Sequence, residues 1–339
     1  MKEDKYHICP SLLQRVKGES GYSAKAEKLL FDGVSVSPIL PYENLDTDPS
    51  VIDTFTDNSK RISLSGVQIK FSLLVDGGVL RLTTASEQGL YILKPKPGHI
   101  RNAVYCAANE HLTMQIASQI FKIQTAPNGL CFFSSGEPAY FVRRFDIVGD
   151  EKLRKEDFAA LAGLTNRQGG SNYKYDHLSY QDFAILIDRY SSMPMVDKYR
   201  FFMLMVFNYV FCNGDAHLKN FSLLEDNRGK FKLSPAYDLL NTRLHVDDEI
   251  FAMRRGLFSE PKSGYFYGSS LAVVGRTFFE FGRLIGLPDT SIKNVLDSFC
   301  EIRPETDELI DNSFLSDDLK KEYKLNYKGR INSYLTIRE

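Results

Sequence analysis

Residues 212–221, Cys212-Asn213-Gly214-Asp215-Ala216-His217-Leu218-Lys219-Asn220-Phe221, gather an acid, an imidazole, an ammonium and an amide behind one glycine. An Asp in such a loop can accept the proton of an attacking hydroxyl. An Asn carbonyl is a neutral hard-oxygen ligand for Mg²⁺, and a nearby Lys can neutralise a moving phosphoryl group. The same residues also read as a hydrogen-bonded loop whose Asp caps the next turn. A second carboxylate shifts the balance. Two short strands are expected over 221–224 and 230–233, joined by Glu225-Asp226-Asn227-Arg228-Gly229, and they lead into Ser234-Pro235-Ala236-Tyr237-Asp238. Alone, Asp238 is a turn residue; together with Asp215 and Asn220 it reads as a Mg²⁺ ligand.

The first half of the chain offers three weaker constellations. Lys94 ends an apolar strand and precedes Pro95. A lysine at the tip of a buried strand needs an anionic partner, and either phosphate oxygens or Glu110 on the following helix would serve. It can also snorkel at the strand end. Ser63-Leu64-Ser65-Gly66-Val67-Gln68-Ile69-Lys70 could cradle phosphates with hydroxyls and backbone N–H groups, with Lys70 reaching them, or form a plain turn. Residues 139–146, Ala139-Tyr140-Phe141-Val142-Arg143-Arg144-Phe145-Asp146, could pair a backbone edge with an adenine or be an ordinary edge strand.

The elements that must position these groups follow from periodicity. Residues 1–60 are punctuated by Pro38, Pro41 and Pro49 and read as loop-rich, with one short helix over 23–31. Residues 71–75 and 79–82 meet across Asp76-Gly77-Gly78, a strong hairpin signal. A third strand is expected over 90–94. The apolar residues Val104, Ala108, Leu112, Ile116 and Ile120 recur every four positions and predict a helix over 102–122 with one buried face. Strands follow over 130–133 and 139–145. Beyond Asp146 the chain turns helical, over 155–164, 179–190, 196–212, 290–300 and 316–333, and the long apolar helix stops at Asn213-Gly214. A β-rich half followed by an α-rich half implies an α+β fold of two lobes with a cleft between them.

Composition narrows the class. With 339 residues, 43% hydrophobic and 25% charged, wholesale disorder is excluded and a sizeable core is expected. A formal net charge of -1 argues against a dedicated nucleic-acid binder. Five scattered cysteines without a C-x-x-C pair suit a reducing cytoplasm and leave no zinc clamp. No signal peptide is expected, and the longest apolar stretch, 201–212, is too short to span a bilayer of about 20 residues.

Asp215 and Asn220 stand at the separation of the base and metal-binding residues in a protein-kinase catalytic loop. With that, the ordered set resembles the HipA-type serine/threonine kinases, toxins of bacterial toxin–antitoxin systems. The matching elements are Ser65 to Lys70, Tyr91-Ile92-Leu93-Lys94, Asn109-Glu110, Arg144-Phe145-Asp146, Gly214 to Ser222, and Pro235-Ala236-Tyr237-Asp238. They cover about residues 60–240. The resemblance implies that Asp215 is the proton acceptor, that Lys219 with Lys94 offsets developing charge, and that Asn220 and Asp238 hold Mg²⁺. It implies that Lys94 binds phosphate, that Ser65, Gly66, Val67, Gln68, Ile69 and Lys70 form the nucleotide loop, and that Arg143, Arg144 and Phe145 form the adenine hinge. His217 and Tyr237 would line the same ATP site. Ser63 falls on the serine that members autophosphorylate, and Ser65 adds a second hydroxyl, as in the short HipT-type branch. Arg143 replaces the acidic residue common at the hinge, leaving its backbone to read adenine.

The implied organisation is a leader over 1–60 packed on the N-lobe, an N-lobe over 61–145 and a helical C-lobe over 146–339. Longer members carry an additional N-terminal subdomain. In the short branch a small separate protein resembles that piece, and a helix-turn-helix antitoxin joins the complex, so DNA is met only through the antitoxin. The implied function is ATP- and Mg²⁺-dependent phosphorylation of an aminoacyl-tRNA synthetase in the cytoplasm, which stalls translation. Two readings compete: a silent kinase fold serving as corepressor with a DNA-binding partner, and a small-molecule phosphotransferase. Intact Asp215, Asn220, Asp238 and Lys94 weigh against the first, and the hydroxyl-bearing phosphate loop against the second.

Overall fold

A computed structural model of the chain describes residues 6–18, 21–43, 70–98, 100–165, 167, 172–260 and 274–334. The chain divides into two compact units. One comprises residues 1–116, 126–145 and 307–320, the other 117–125, 146–306 and 321–339.

The leader is more regular than the prolines suggest. Strands β1 (Tyr6–Ile8) and β2 (Arg15–Lys17) form an antiparallel pair ahead of helix α1 (Ala24–Phe31), where Ser23 accepts from the Ala26 N–H at 3.2 Å. The sheet of the first unit is built from β3 (Phe71–Asp76), β4 (Val79–Leu82), β5 (Tyr91–Lys94), then, after helix α2 (Cys106–Gln119), β6 (Asn128–Phe132) and β7 (Pro138–Arg143). It is antiparallel, in the order β4-β3-β5-β7-β6. The β3–β4 turn places Gly77 and Gly78 at φ 56° and 78°, the conformation a tight hairpin demands and glycine accepts without strain.

Alternation along these strands decides what faces what. Phe71, Leu73, Leu80, Leu82, Tyr91, Leu93, Ala139 and Phe141 lie in one buried cluster with Ala26, Leu30 and Phe31 of α1. Leu93 pairs with Phe141, so the next pair, Lys94 with Tyr140, points to the opposite face. On that face the ammonium of Lys94 meets Glu110 of α2. Helix α2 departs from the single apolar face expected of it. Every residue from Cys106 to Ala117 is buried, while Val104 lies in a preceding 3₁₀ turn, 47% exposed. Several of its buried polar groups are bonded: His111 Nε2 lies 2.7 Å from the Ser11 carbonyl, and Gln115 donates to Asn128 at 3.0 Å, while His111 Nδ1 is buried without a hydrogen-bond partner among the described residues. Burial pushes the His111 pKa down to about 4, keeping it neutral.

In the second unit a small pair, β8 (Ile147–Val148) and β9 (Glu151–Lys152), precedes β10 (Lys155–Asp157) and helix α3 (Phe158–Leu161). The helix expected over 155–164 is therefore a strand running into one helical turn. Lys155, Glu156 and Asp157 instead pair with Leu224, Leu223 and Ser222, and Asp157 caps α3 by accepting from Ala160 N at 2.8 Å. Next come α4 (Tyr173–Asp176), α5 (Tyr180–Tyr190), α6 (Pro194–Val210), β11 (Ser222–Glu225) and β12 (Phe231–Leu233). They are followed by α7 (Val274–Leu284), α8 (Asp289–Phe299), α9 (Pro304–Asp311) and α10 (Asp317–Tyr334). Ser179 and Asp182 close a capping box on α5. Among the described residues no helix is long and apolar enough to cross a membrane.

Candidate active site

Helix α6 ends earlier than its apolar run, at Val210, and the chain reverses at Cys212, not at Gly214. Cys212 takes φ 55°, and the Asn213 amide reaches back to Asn208 Oδ1 at 3.0 Å. Gly214 is needed for another reason: a Cβ there would collide with the Asp248 carboxylate and sit 2.5 Å from the Glu249 carbonyl. Segment 248–249 thus packs directly onto the loop backbone.

The loop that follows is held at both ends. Tyr180 donates to the Ala216 carbonyl at 2.8 Å, and Phe221 inserts among Phe158, Tyr180, Phe183 and Phe201. Between these anchors Asp215 is presented to solvent while protein surrounds much of its carboxyl. Burial raises its pKa above the ordinary carboxylate value, reinforced by the charges of Asp238 and Asp248 and opposed by Tyr175 and Lys174. Tyr175 donates to Asp215 Oδ1 at 2.9 Å. His217 is buried, with Nε2 3.0 Å from Lys174 Nζ. Burial first and the Lys174 charge second bring its pKa down to about 3, so the imidazole is neutral at pH 7.

Asn220 and Asp238 meet. The Asn220 amide donates to Asp238 Oδ2 at 3.1 Å, while its Oδ1 accepts from the His217 N–H at 3.1 Å. Asp238 sits at φ 58°, in the left-handed region that Asp tolerates better than most side chains. Tyr237 ties this exit to the loop by donating to the Lys219 carbonyl at 2.9 Å. The Lys219 side chain itself is exposed. The Asp238 carboxylate and the Asn220 amide carbonyl are hard oxygen donors of the type Mg²⁺ selects, and the amide oxygen, which accepts from the His217 N–H, has a second lone pair for it. The residues therefore fit such an ion.

In the first unit Lys94 Nζ lies 2.6 Å from Glu110 Oε1 and 5.4 Å from the centre of the Tyr140 ring. Arg143 spends its guanidinium on Asp32, at 2.9 and 2.7 Å, and on the Leu30 carbonyl, bracing the end of α1. Its N–H donates to Pro127 and that of Arg144 to Leu90. The backbone donors of Arg143 and Arg144 are thus committed within the unit. Phe145 follows at the end of the segment, and Lys70 leads into β3. Ser63, Ser65, Gly66, Val67, Gln68 and Ile69 lie outside the described residues.

A pocket of about 850 Å³ opens beside Asp215, lined by Tyr175, Gly214, Asp248 and the run from Glu249 to Phe258. Lys174-Tyr175-Asp176 carries no spacing signal, and its contacts bridge some 40 positions.

Residues 62–305 match the model of the HipA-like C-terminal domain family. A Haemophilus influenzae protein named "Putative kinase" is 26% identical over 331 residues, covering 91% of this chain and 92% of the relative. A Sinorhizobium fredii protein, "Putative kinase Y4mE", is 32% identical over 207 residues, covering 58% of this chain but only 46% of that one. Among solved structures, HipA of Shewanella oneidensis, in complex with HipB and operator DNA, shares the fold. The TM-score is 0.62 at 22% identity, over 81% of this chain and 65% of that one.

Proposed function

The chain belongs to the HipA-like C-terminal domain family, and on that footing we propose that it is an ATP- and Mg²⁺-dependent protein serine/threonine kinase acting as the toxin of a toxin–antitoxin system. The observation that carries the proposal is a rigidly anchored loop presenting Asp215 at a pocket, with Asn220 and Asp238 side by side behind it. Asp215 accepts the proton of a substrate hydroxyl and orients it for attack. Its burial raises its proton affinity, which suits a base that must hold that proton during transfer. His217, neutral and buried, lends its backbone N–H to Asn220 and so fixes the amide beside Asp238. Asn220 and Asp238 would hold Mg²⁺, which when bound neutralises phosphate charge. Lys94, paired with Glu110, is the phosphate-binding lysine in this reading, and Lys219 offsets charge at the transferred group.

The finer assignments rest on the family. The substrate is proposed to be an aminoacyl-tRNA synthetase, and Ser63 and Ser65 are proposed sites of self-limiting autophosphorylation. A phosphate on either adds about -1.5 to -2 charge near the nucleotide loop. A helix-turn-helix antitoxin is the proposed partner, since Shewanella oneidensis HipA is solved with HipB and operator DNA. A small protein resembling the N-terminal subdomain of longer members is a second proposed partner. The test is mass spectrometry of a cell lysate incubated with labelled ATP and either the wild-type protein or Asp215→Asn. A labelled synthetase peptide, with label on Ser63 or Ser65, is expected in the wild type alone. Equal labelling by the two proteins would overturn the proposal.

A further inference from the structure

Helix α4 is one turn long, yet two adjacent side chains on it grip the catalytic loop. Tyr175 donates to Asp215 Oδ1 at 2.9 Å, and Lys174 Nζ lies 3.0 Å from His217 Nε2. The Tyr175 ring also packs edge-on against the His217 ring, with centroids 5.1 Å apart, and the Lys174 ammonium sits 4.8 Å from the Tyr175 ring centre. From the other side α4 is fixed by segment 248–258: the Arg254 N–H donates to the Tyr175 carbonyl at 3.1 Å, and the Arg254 guanidinium pairs with Asp176 at 3.0 Å. A single turn with so few residues has little stability of its own. These bonds make it a brace between the pocket wall and the loop.

We infer that Tyr175 is a positioning residue for phosphoryl transfer: its hydroxyl clamps one oxygen of the Asp215 carboxylate and turns the other toward the acceptor hydroxyl. The inference rests on Asp215 being the proton acceptor. A free carboxylate rotates about its terminal torsion, which is broad and roughly two-fold. A phenol held by a ring packed on His217 removes that freedom at low entropic cost, because Tyr has only two side-chain torsions. A hydroxyl donor to a carboxylate forms a charge-assisted bond, stronger than a neutral one.

Tyr175→Phe deletes the hydroxyl and keeps the ring on His217, so the loop retains its packing. The expected result is a loss of roughly 10- to 100-fold in kcat, the size of one hydrogen bond to a charged group. KM for MgATP and for the acceptor, and the melting temperature, should stay close to wild type. Hydrogen exchange supplies a readout independent of activity: amides of the 213–220 loop should exchange faster in Tyr175→Phe, with α5 and α6 unchanged. Unaltered exchange in that loop would overturn the inference even if the protein transfers no phosphate. So would a kcat within about twofold of wild type, or a loss carried wholly by KM. A rise in kcat would also overturn it, by showing that the hydroxyl blocks the base. The proposed function fails separately, if Asp215→Asn transfers phosphate at the wild-type rate.

Discussion

Glu110→Gln is a sharp perturbation of the first unit because it removes one charge and almost no volume. Glu110 and Lys94 are each only 6% exposed and lie 2.6 Å apart, so the substitution strands an ammonium inside the protein. Breaking a buried ion pair on one side costs about 3–5 kcal/mol. Two features place this case at the low end: the Gln carbonyl still accepts from Lys94, and the Tyr140 ring face attracts the cation. A loss of about 3 kcal/mol is expected, read as a fall in the urea midpoint at unchanged slope. The companion double variant, Lys94→Met with Glu110→Leu, removes both charges. Apolar replacement of a whole pair is commonly neutral or stabilising, so its urea midpoint should return to within about 1 kcal/mol of wild type or exceed it. Its MgATP affinity, by calorimetry, should nonetheless collapse, because the proposed phosphate-binding cation is gone. A Glu110→Gln protein as stable as wild type would refute the electrostatic argument. Wild-type MgATP affinity in the double variant would refute the role given to Lys94.

Other expectations follow from the second unit. Asp238→Ala should weaken MgATP binding in calorimetry while leaving Mg²⁺-free nucleotide binding nearly unchanged, since a hard oxygen ligand is lost. Asp215 has its pKa raised on folding, so ionising it opposes folding once the pH passes the unfolded-state value. Asp215→Asn should therefore melt higher than wild type at pH 7 without metal, and the difference should vanish as the pH falls below the ordinary Asp range. Gly214→Ala forces a methyl group against Asp248 and the Glu249 carbonyl, and should cost about 1–3 kcal/mol in urea unfolding, the usual range for overpacking.

Much of the fold was legible because local chemistry and tertiary structure agree. Ser179 with Asp182 marks the start of α5, Ser23 caps α1, and Asp76-Gly77-Gly78 turns β3 into β4. Where the structure departs from the sequence pattern, the causes are physical. Residues 155–157 carry helix-tolerant side chains, but pairing with β11 overrides that preference. The four-residue repeat through α2 suggests one apolar face, yet His111, Thr113 and Gln115 are buried too, each bonded within the protein, and no periodicity reveals that. The apolar run predicts two residues more of helix α6 than form, because burial continues through Phe211 and Cys212 after the helix ends at Val210. In the site, spacing alone put Asp215 and Asn220 on one loop, and the strand pair explains why Asp238 returns to Asn220. Tyr175, Lys174 and Asp248 could not be read that way, since they approach the loop from distant segments through tertiary packing alone.

The central claim, that Asp215 carries phosphoryl transfer to a hydroxyl, is tested most directly with purified protein, Mg²⁺ and γ-labelled ATP. Label incorporated into the protein itself is followed over time for wild type and Asp215→Asn, with MgATP affinity measured on both. The account predicts labelling by the wild type and a rate lower by roughly 10²- to 10⁴-fold in the variant, at unchanged MgATP affinity. Labelling of the variant at the wild-type rate would contradict it.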